Sequence, residues 1–273
     1  MWVGARAAHP ASPAAPPPWL EHTARHGSGA HRLRTPSVRF TLRSMMISAL
    51  LFDVDGTLVD SVDLHAEAWR RAFQHFGKDL PFERVRHEIG KGADQLMPVF
   101  LSPDELHRFG DELHAWRSDL YRREFLPQVR PFPEVPELFR RLVDDKKRIV
   151  LASSAKRDEL ETCIEMLGIR DLIEGATSAE DVDRSKPHPD IFEAALDKLG
   201  SVDLREVAVV GDTPYDAEAA GKLGVATIGV LCGGFPEMEL IEAGCIAVYR
   251  DPADLLARYD ASPLARVRQP VTL

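Results

Sequence analysis

Three short apolar runs in this chain each break off at a polar cluster, and this pattern restricts the fold more than any other feature. Ala49 to Phe52 stops at Asp53, with Asp55, Gly56 and Thr57 directly behind it. Arg148 to Ala152 leads into Ser153-Ser154-Ala155-Lys156, and Val207 to Gly211 leads into Asp212-Thr213-Pro214-Tyr215-Asp216. Runs of this length, bounded by turn residues, read as buried strands rather than helices. Alternating with helical stretches, they imply a mostly parallel sheet covered by helices on both faces: an α/β, Rossmann-like core. Open sheets of this kind bind ligands beyond the carboxyl ends of their strands, where these clusters fall. A fourth cluster, Ser185-Lys186-Pro187-His188-Pro189-Asp190, opens a helical pattern between the second and third runs. One Asp after a strand commonly does no more than cap a turn. Four clusters in one chain are hard to explain that way.

Between the first two runs the periodicity changes. Val62, His65, Trp69, Phe73 and Phe76 share one helical face that Gly77 closes, and Leu106, Phe109, Leu113, Trp116 and Leu120 repeat at spacings of three and four. Residues 62–128 are therefore expected to form an all-helical cap, inserted into a core made of residues 45–61 and 129–273. The linkers are expected near 59–62 and 126–131, and later strands at 226–231 and 246–249. The insertion would emerge at the strand end that carries Asp53.

The 273 residues carry a net charge of −9, unevenly spread. The first 44 hold six Arg and one acid, Glu21, a net +5, which leaves −14 for the remainder. An acidic body without a basic stripe argues against a nucleic-acid partner. No apolar run approaches the ~18 residues of a membrane span, so no membrane partner is expected either. Cys163, Cys232 and Cys245 lack metal-ligand spacing and read as reduced packing residues, consistent with a cytoplasmic monomer or homodimer. Residues 1–44, rich in Ala, Pro, Arg and His, cannot bury enough apolar surface to offset their ordering entropy. They read as a disordered extension or a start-site artefact upstream of Met45-Met46, with an organellar signal as the alternative.

Taken together, the four clusters resemble the motifs of the haloacid dehalogenase superfamily of phosphohydrolases, in the branch with a helical cap. The resemblance spans roughly residues 46–258. It implies that Asp53 is a nucleophile forming an aspartyl-phosphate and Asp55 a general acid and base. Ser153 and Lys186 would hold the phosphoryl group. It also implies Mg²⁺, bound by Asp53, the backbone carbonyl of Asp55 and Asp212, with Asp216 either a ligand or a partner of the ligands. Electrostatics argue the same way, since like charges at ~4 Å cost ~4 kcal/mol per pair at an effective dielectric near 20. An oxygen-only cluster suits Mg²⁺. The role of Asp55 calls for a pKa above that of a free Asp.

The cap gives weaker guidance to the substrate, a small phosphorylated metabolite. Ile89-Gly90-Lys91-Gly92 and the stretch around Gly233-Gly234 resemble phosphoglycolate phosphatases, which would make Lys91 a contact for a substrate carboxylate. His65 and Trp69 resemble the cap helix of β-phosphoglucomutases, so a phosphosugar isomerase is the alternative. That family presents an Arg after the Gly-rich turn, where this chain has Ala93-Asp94. Lys156 and Arg157 begin a helix, where cations oppose the helix dipole, and this hints at an anion nearby.

Overall fold

The structure, a computed structural model, describes residues 46–265. They fall within one compact unit, Leu42–Leu273, and the extension expected at residues 1–44 lies outside them. β1 (Ala49–Phe52) is followed by a short strand, β2 (Val59–Asp60), and then by four helices: α1 (Val62–His75), α2 (Phe82–Arg86), α3 (Ala93–Phe100) and α4 (Pro103–Leu120). β3 (Arg130–Pro131) closes the insertion by pairing antiparallel with β2 in a separate two-stranded ribbon. Thereafter strands and helices alternate: α5 (Val135–Asp144), β4 (Arg148–Ala152), α6 (Arg157–Leu167), β5 (Gly175–Thr177) and α7 (Asp190–Leu199). β6 (Val207–Gly211), α8 (Pro214–Lys222), β7 (Ala226–Val230), α9 (Glu237–Glu242), β8 (Cys245–Tyr249) and α10 (Pro252–Ala257) complete it.

The six long strands form a parallel sheet in the order β5-β4-β1-β6-β7-β8. Side chains alternate across a strand, and here each set is apolar. Leu50, Phe52, Ile149, Leu151, Ala208 and Val210 enter one core layer. Ala49, Leu51, Val150, Ala152, Val207 and Val209 enter the other, beneath α7 and α8. Burial on both faces is why the strands read as continuous apolar runs. β1 lies between β4 and β6, so their carboxyl ends bring Asp53, Ser153 and Asp212 to one edge.

The helices between β2 and β3 have a core of their own, built on Trp69, Phe73, Val85, Leu96, Phe100 and Leu113. Phe73 meets Phe100 edge-on at 5.1 Å. α4 is the best-specified helix, with Pro103 in its first turn and a reciprocal Ser102–Glu105 capping box that satisfies its first amides. It runs on into a π turn at Tyr121–Phe125. No helix among the described residues is long and apolar enough to cross a membrane.

Candidate active site

Asp53 continues the β1 ladder by one residue, its amide donating to Val210 O at 2.9 Å. The chain then turns sharply, with Leu58 N donating to Val54 O at 2.8 Å. Gly56 takes φ +82° in this turn, and a Cβ there would overlap the Asp212 carboxylate. Only glycine satisfies both conditions. The turn brings Thr57 under the two strand ends, where its hydroxyl lies 2.8 Å from Asp212 Oδ1 and 3.2 Å from Asp53 Oδ2. One hydroxyl proton thus serves two carboxylates.

Lys186, 1 % exposed, enters from the loop before α7 and pairs with Asp53 and, at 2.8 Å, with Asp216 Oδ1. Asp216 is held in turn by the first turn of α8, its Oδ2 accepting from Thr213 N at 3.1 Å and Thr213 Oγ1 at 2.6 Å. Asp53, Asp212 and Asp216 present oxygens within 4.8 Å of one another, all buried. Burial pushes the Asp53 carboxyl up to about 7 against the pull of Lys186, and Asp216 and Asp55 add to the rise. Asp212 is raised well above the usual range by burial and by the neighbouring Asp53 and Asp216. One lysine is too little positive charge for three carboxylates. Asp212 Oδ2 is buried without a hydrogen-bond partner, and Gly233 approaches so closely that a Cβ there would overlap that same oxygen. An unpartnered oxygen in an acid cluster short of positive charge fits a hard divalent cation.

Asp55 contradicts its expected pKa. Burial pushes it up, but the His65 ring, the Ser61 hydroxyl and the Arg117 guanidinium outweigh that and hold it at about 2. Asp55 Oδ1 accepts from His65 Nε2 at 3.0 Å and from the Ser61 hydroxyl at 2.7 Å. Arg117, which can only donate, takes the other ring nitrogen, Nδ1. The ring is clamped by stacking on Tyr121 at 4.0 Å.

A cavity of about 420 Å³ opens over this edge. Asp53, Asp55, His65, Lys91 and Lys156 line it, whereas Asp212, Asp216, Lys186 and Ser153 stand behind its wall. Ser153 is fully buried, its hydroxyl oxygen accepting from Ala155 N at 3.0 Å. Lys156 reaches the wall, but Arg157 turns away to pair with Asp181 at 2.7 Å. Lys91 is paired with Glu88, and its ammonium sits 4.6 Å over the Tyr215 ring. Trp69 faces the cavity and also stacks on Phe73, so it is at once wall and core.

Besides the His65–Asp55 bond, further polar contacts join the inserted helices to the sheet edge. Arg86 donates to Gly233 O at 3.1 Å, Tyr215 to His87 O at 2.8 Å, and Ser185 N to Asp94 at 3.1 Å. Sequence reasoning missed Arg117, Ser118, His114 and Glu159, all of which line the cavity. A signal existed for two of them. Gly110, Leu113, Arg117 and Leu120 form the buried stripe of α4, and Glu159 shares the buried stripe of α6 with Cys163 and Leu167. A charged residue in an apolar stripe marks a buried charge.

The description of haloacid dehalogenase-like hydrolase fits residues 50–230, well over half the chain. The chain belongs to that hydrolase family. Among its relatives, a phosphorylated carbohydrates phosphatase of Thermotoga maritima is 26 % identical over 215 residues, 77 % of this chain and 97 % of that protein. A pyrophosphatase of Bacillus pumilus is 26 % identical over 212 residues, 77 % of this chain and 95 % of that one. The crystal structure of a hydrolase from Pseudomonas syringae superposes with a TM-score of 0.72 at 28 % identity, over 80 % of this chain and all of that one.

Proposed function

We propose that the protein is a Mg²⁺-dependent phosphatase that hydrolyses a small phosphomonoester through an aspartyl-phosphate on Asp53. The observation that carries this is the Asp53–Lys186–Asp212 arrangement: a buried carboxylate at a strand end, backed by a lysine, beside an acid with an unpartnered oxygen. Membership of the hydrolase family and relatives named as phosphatases support the same reading.

Asp53 and Asp212 would hold Mg²⁺ with the backbone carbonyl of Asp55, as the resemblance implies. Asp216 is assigned instead to positioning Lys186, since one of its oxygens is occupied by Thr213 and the other faces the lysine. Bound there, the cation would offset the charge of the phosphoryl group beside the acids. Lys186 adds a fixed charge, and Ser153, with the amides that follow it, flanks the opposite side. Asp53 attacks phosphorus and the ester oxygen departs with a proton from Asp55. Water then attacks the phosphorus of the aspartyl-phosphate, returns a proton to Asp55 and frees Asp53. A carboxyl held low by His65 and Ser61 suits the second step. The phosphate dianion is the negative charge that would favour its protonated form for the first.

The helical insert at 62–128 acts, on this reading, as a cap that closes the cavity and selects the substrate. A carboxylated substrate such as 2-phosphoglycolate was expected to meet Lys91, whose charge is instead matched by Glu88. At the position where a mutase would offer an Arg, Asp94 accepts from Ser185 N. Neither feature favours a second anionic group. Purified protein assayed for phosphate release from p-nitrophenyl phosphate should be active with Mg²⁺ and fall below a few per cent in excess EDTA, with Asp212→Ala mimicking chelation. Full activity in EDTA would refute the reading.

A further inference from the structure

The parallel sheet has two edges, and they are finished differently. β5 is only three residues long, with Glu174 just before it and the aliphatic stem of Lys198 lying against Gly175. Short strands and flanking charges are the usual protection of a sheet edge. β8 has neither. Cys245 to Tyr249 is five residues long, uncharged and free of proline, and among the described residues it pairs with β7 alone. Its register with β7 skips Ile246, since Thr227 pairs with Cys245 and Ile228 with Ala247. A bulge of this kind ordinarily blunts an edge, but here the extra residue is an isoleucine, 55 % exposed. Met238 and Ile241, 61 % and 46 % exposed, lie one turn apart on α9, which packs against β8. Single apolar side chains on a surface are ordinary. Three of the six large ones exposed among the described residues gather here, beside an open strand edge.

The charges around the strand decide what fits it. Glu242 ends α9 just before β8 and is exposed, with no ion pair among the described residues. Arg250 follows β8 directly, its side chain 77 % exposed, and shares a single carboxylate, Asp254, with Arg258. The edge therefore carries an acid at its start and a base at its end. A partner of one sign would be repelled at one of them, whereas a second copy laid antiparallel matches both. We propose that two copies of this chain associate through β8, antiparallel about a two-fold axis at Ile246, so that the sheet continues across the pair. In that register each residue lies opposite the one equally far from Ile246 on the other copy. Ile246 meets its own counterpart, and Glu242 of each copy faces Arg250 of the other. The contact is isologous, the kind that closes as a dimer and leaves no edge to grow from. Unpaired backbone groups along β8 supply the hydrogen bonds, as in other strand additions. α9 of both copies lies on the same face of the joined sheet, with Met238 and Ile241 beside the seam. β8 stands three strands from β1, so the pairing is independent of the phosphatase reading.

The test is the mass of the full chain in solution, with no substrate present. Sedimentation equilibrium between about 1 and 100 µM should show the wild type passing from one chain to two. Ile246→Lys, which sets a charge on the axis, should leave only the monomer. Glu242→Arg and Arg250→Glu should each weaken association by at least about tenfold, because like charges then face each other. The double reversal, Glu242→Arg with Arg250→Glu, should restore the affinity to within about threefold, since it exchanges the two signs across the axis. All four positions are on the surface, and circular dichroism spectra matching the wild type would show that each variant is folded. A wild type that stays monomeric throughout, leaving the edge to some other partner, would overturn the proposal. So would a dimer that survives Ile246→Lys, which puts the contact elsewhere. A double reversal no better than the single changes would exclude the antiparallel register and overturn it as well.

Discussion

At the sheet edge, Asp53 and Asp212 stand directly on strand ends and Lys186 on the adjoining loop, so backbone geometry alone brings them together. On the opposite wall, Arg117 and Glu159 stand on two helices, each surrounded by apolar neighbours, and meet only because the insert packs onto the core. The first arrangement is rigid and densely paired, with Thr57, Thr213 and Lys186 joining the acids. The second leaves Arg117 Nε, Ser118 Oγ and Glu159 Oε1 buried without hydrogen-bond partners, as the first leaves Asp212 Oδ2. A phosphoryl group is the same in every phosphomonoester and leaving groups differ, so a fixed edge and an adaptable wall suit a division between chemistry and selection.

If that division holds, substitutions at the edge should affect every substrate, and substitutions on the insert should affect some. Asp53→Asn should show the largest effect, a loss of about a thousandfold or more in kcat on all phosphomonoesters, since an amide is a poor nucleophile. Its thermal stability should be maintained, because the change removes one of three mutually repelling acids. Lys186→Met should cost about 10²–10³ in kcat/KM on all substrates alike. Calorimetry should also show a loss of stability of about 3–5 kcal/mol, as expected when one partner of a buried ion pair is removed. Gly92→Ala comes next. A Cβ there would overlap the Ser185 hydroxyl, holding the insert off the residue that precedes Lys186, and kcat/KM should fall about tenfold where closure is needed to orient the substrate. A uniform thousandfold loss would instead make that loop part of the chemical machinery. Lys91→Ala should be the mildest, under about threefold in KM, because Glu88 already neutralises the ammonium. A tenfold rise in KM confined to acid-bearing substrates would restore Lys91 as a carboxylate contact and weaken the division.

The same contrast explains what could be read from the residues alone. Asp53, Asp55 and Asp212 follow apolar runs directly, so the strand and its terminal acid are written within a few residues of each other. Burial on both faces makes those runs continuous, which is why the parallel sheet was legible. The strand bounds moved by one residue, to Ala226–Val230 and Cys245–Tyr249. The low pKa of Asp55 was not legible, because it depends on how His65 and Ser61 turn toward the carboxylate and, to a lesser extent, on Arg117, 62 positions further along. The sequence suggests Lys91 as a contact for a substrate carboxylate, and its pairing with Glu88, three residues earlier, is visible only in the structure. The wall formed by Arg117, Ser118 and Glu159 required the packing of α4 against the core. Only the presence of charges in two apolar stripes hinted at it.

The most direct measurement is to trap the phosphorylated nucleophile. Asp55→Asn should accumulate it, since the variant lacks the base for the second step. p-Nitrophenyl phosphate supplies a leaving group that needs no proton in the first. Mixed with Mg²⁺ and ³²P-labelled substrate, quenched in acid and digested, this variant should carry label on the peptide containing Asp53, and hydroxylamine should release it. Release of p-nitrophenol over several turnovers with no label on that peptide, or with label on another residue, would contradict the assignment of the sheet edge as the site of chemistry.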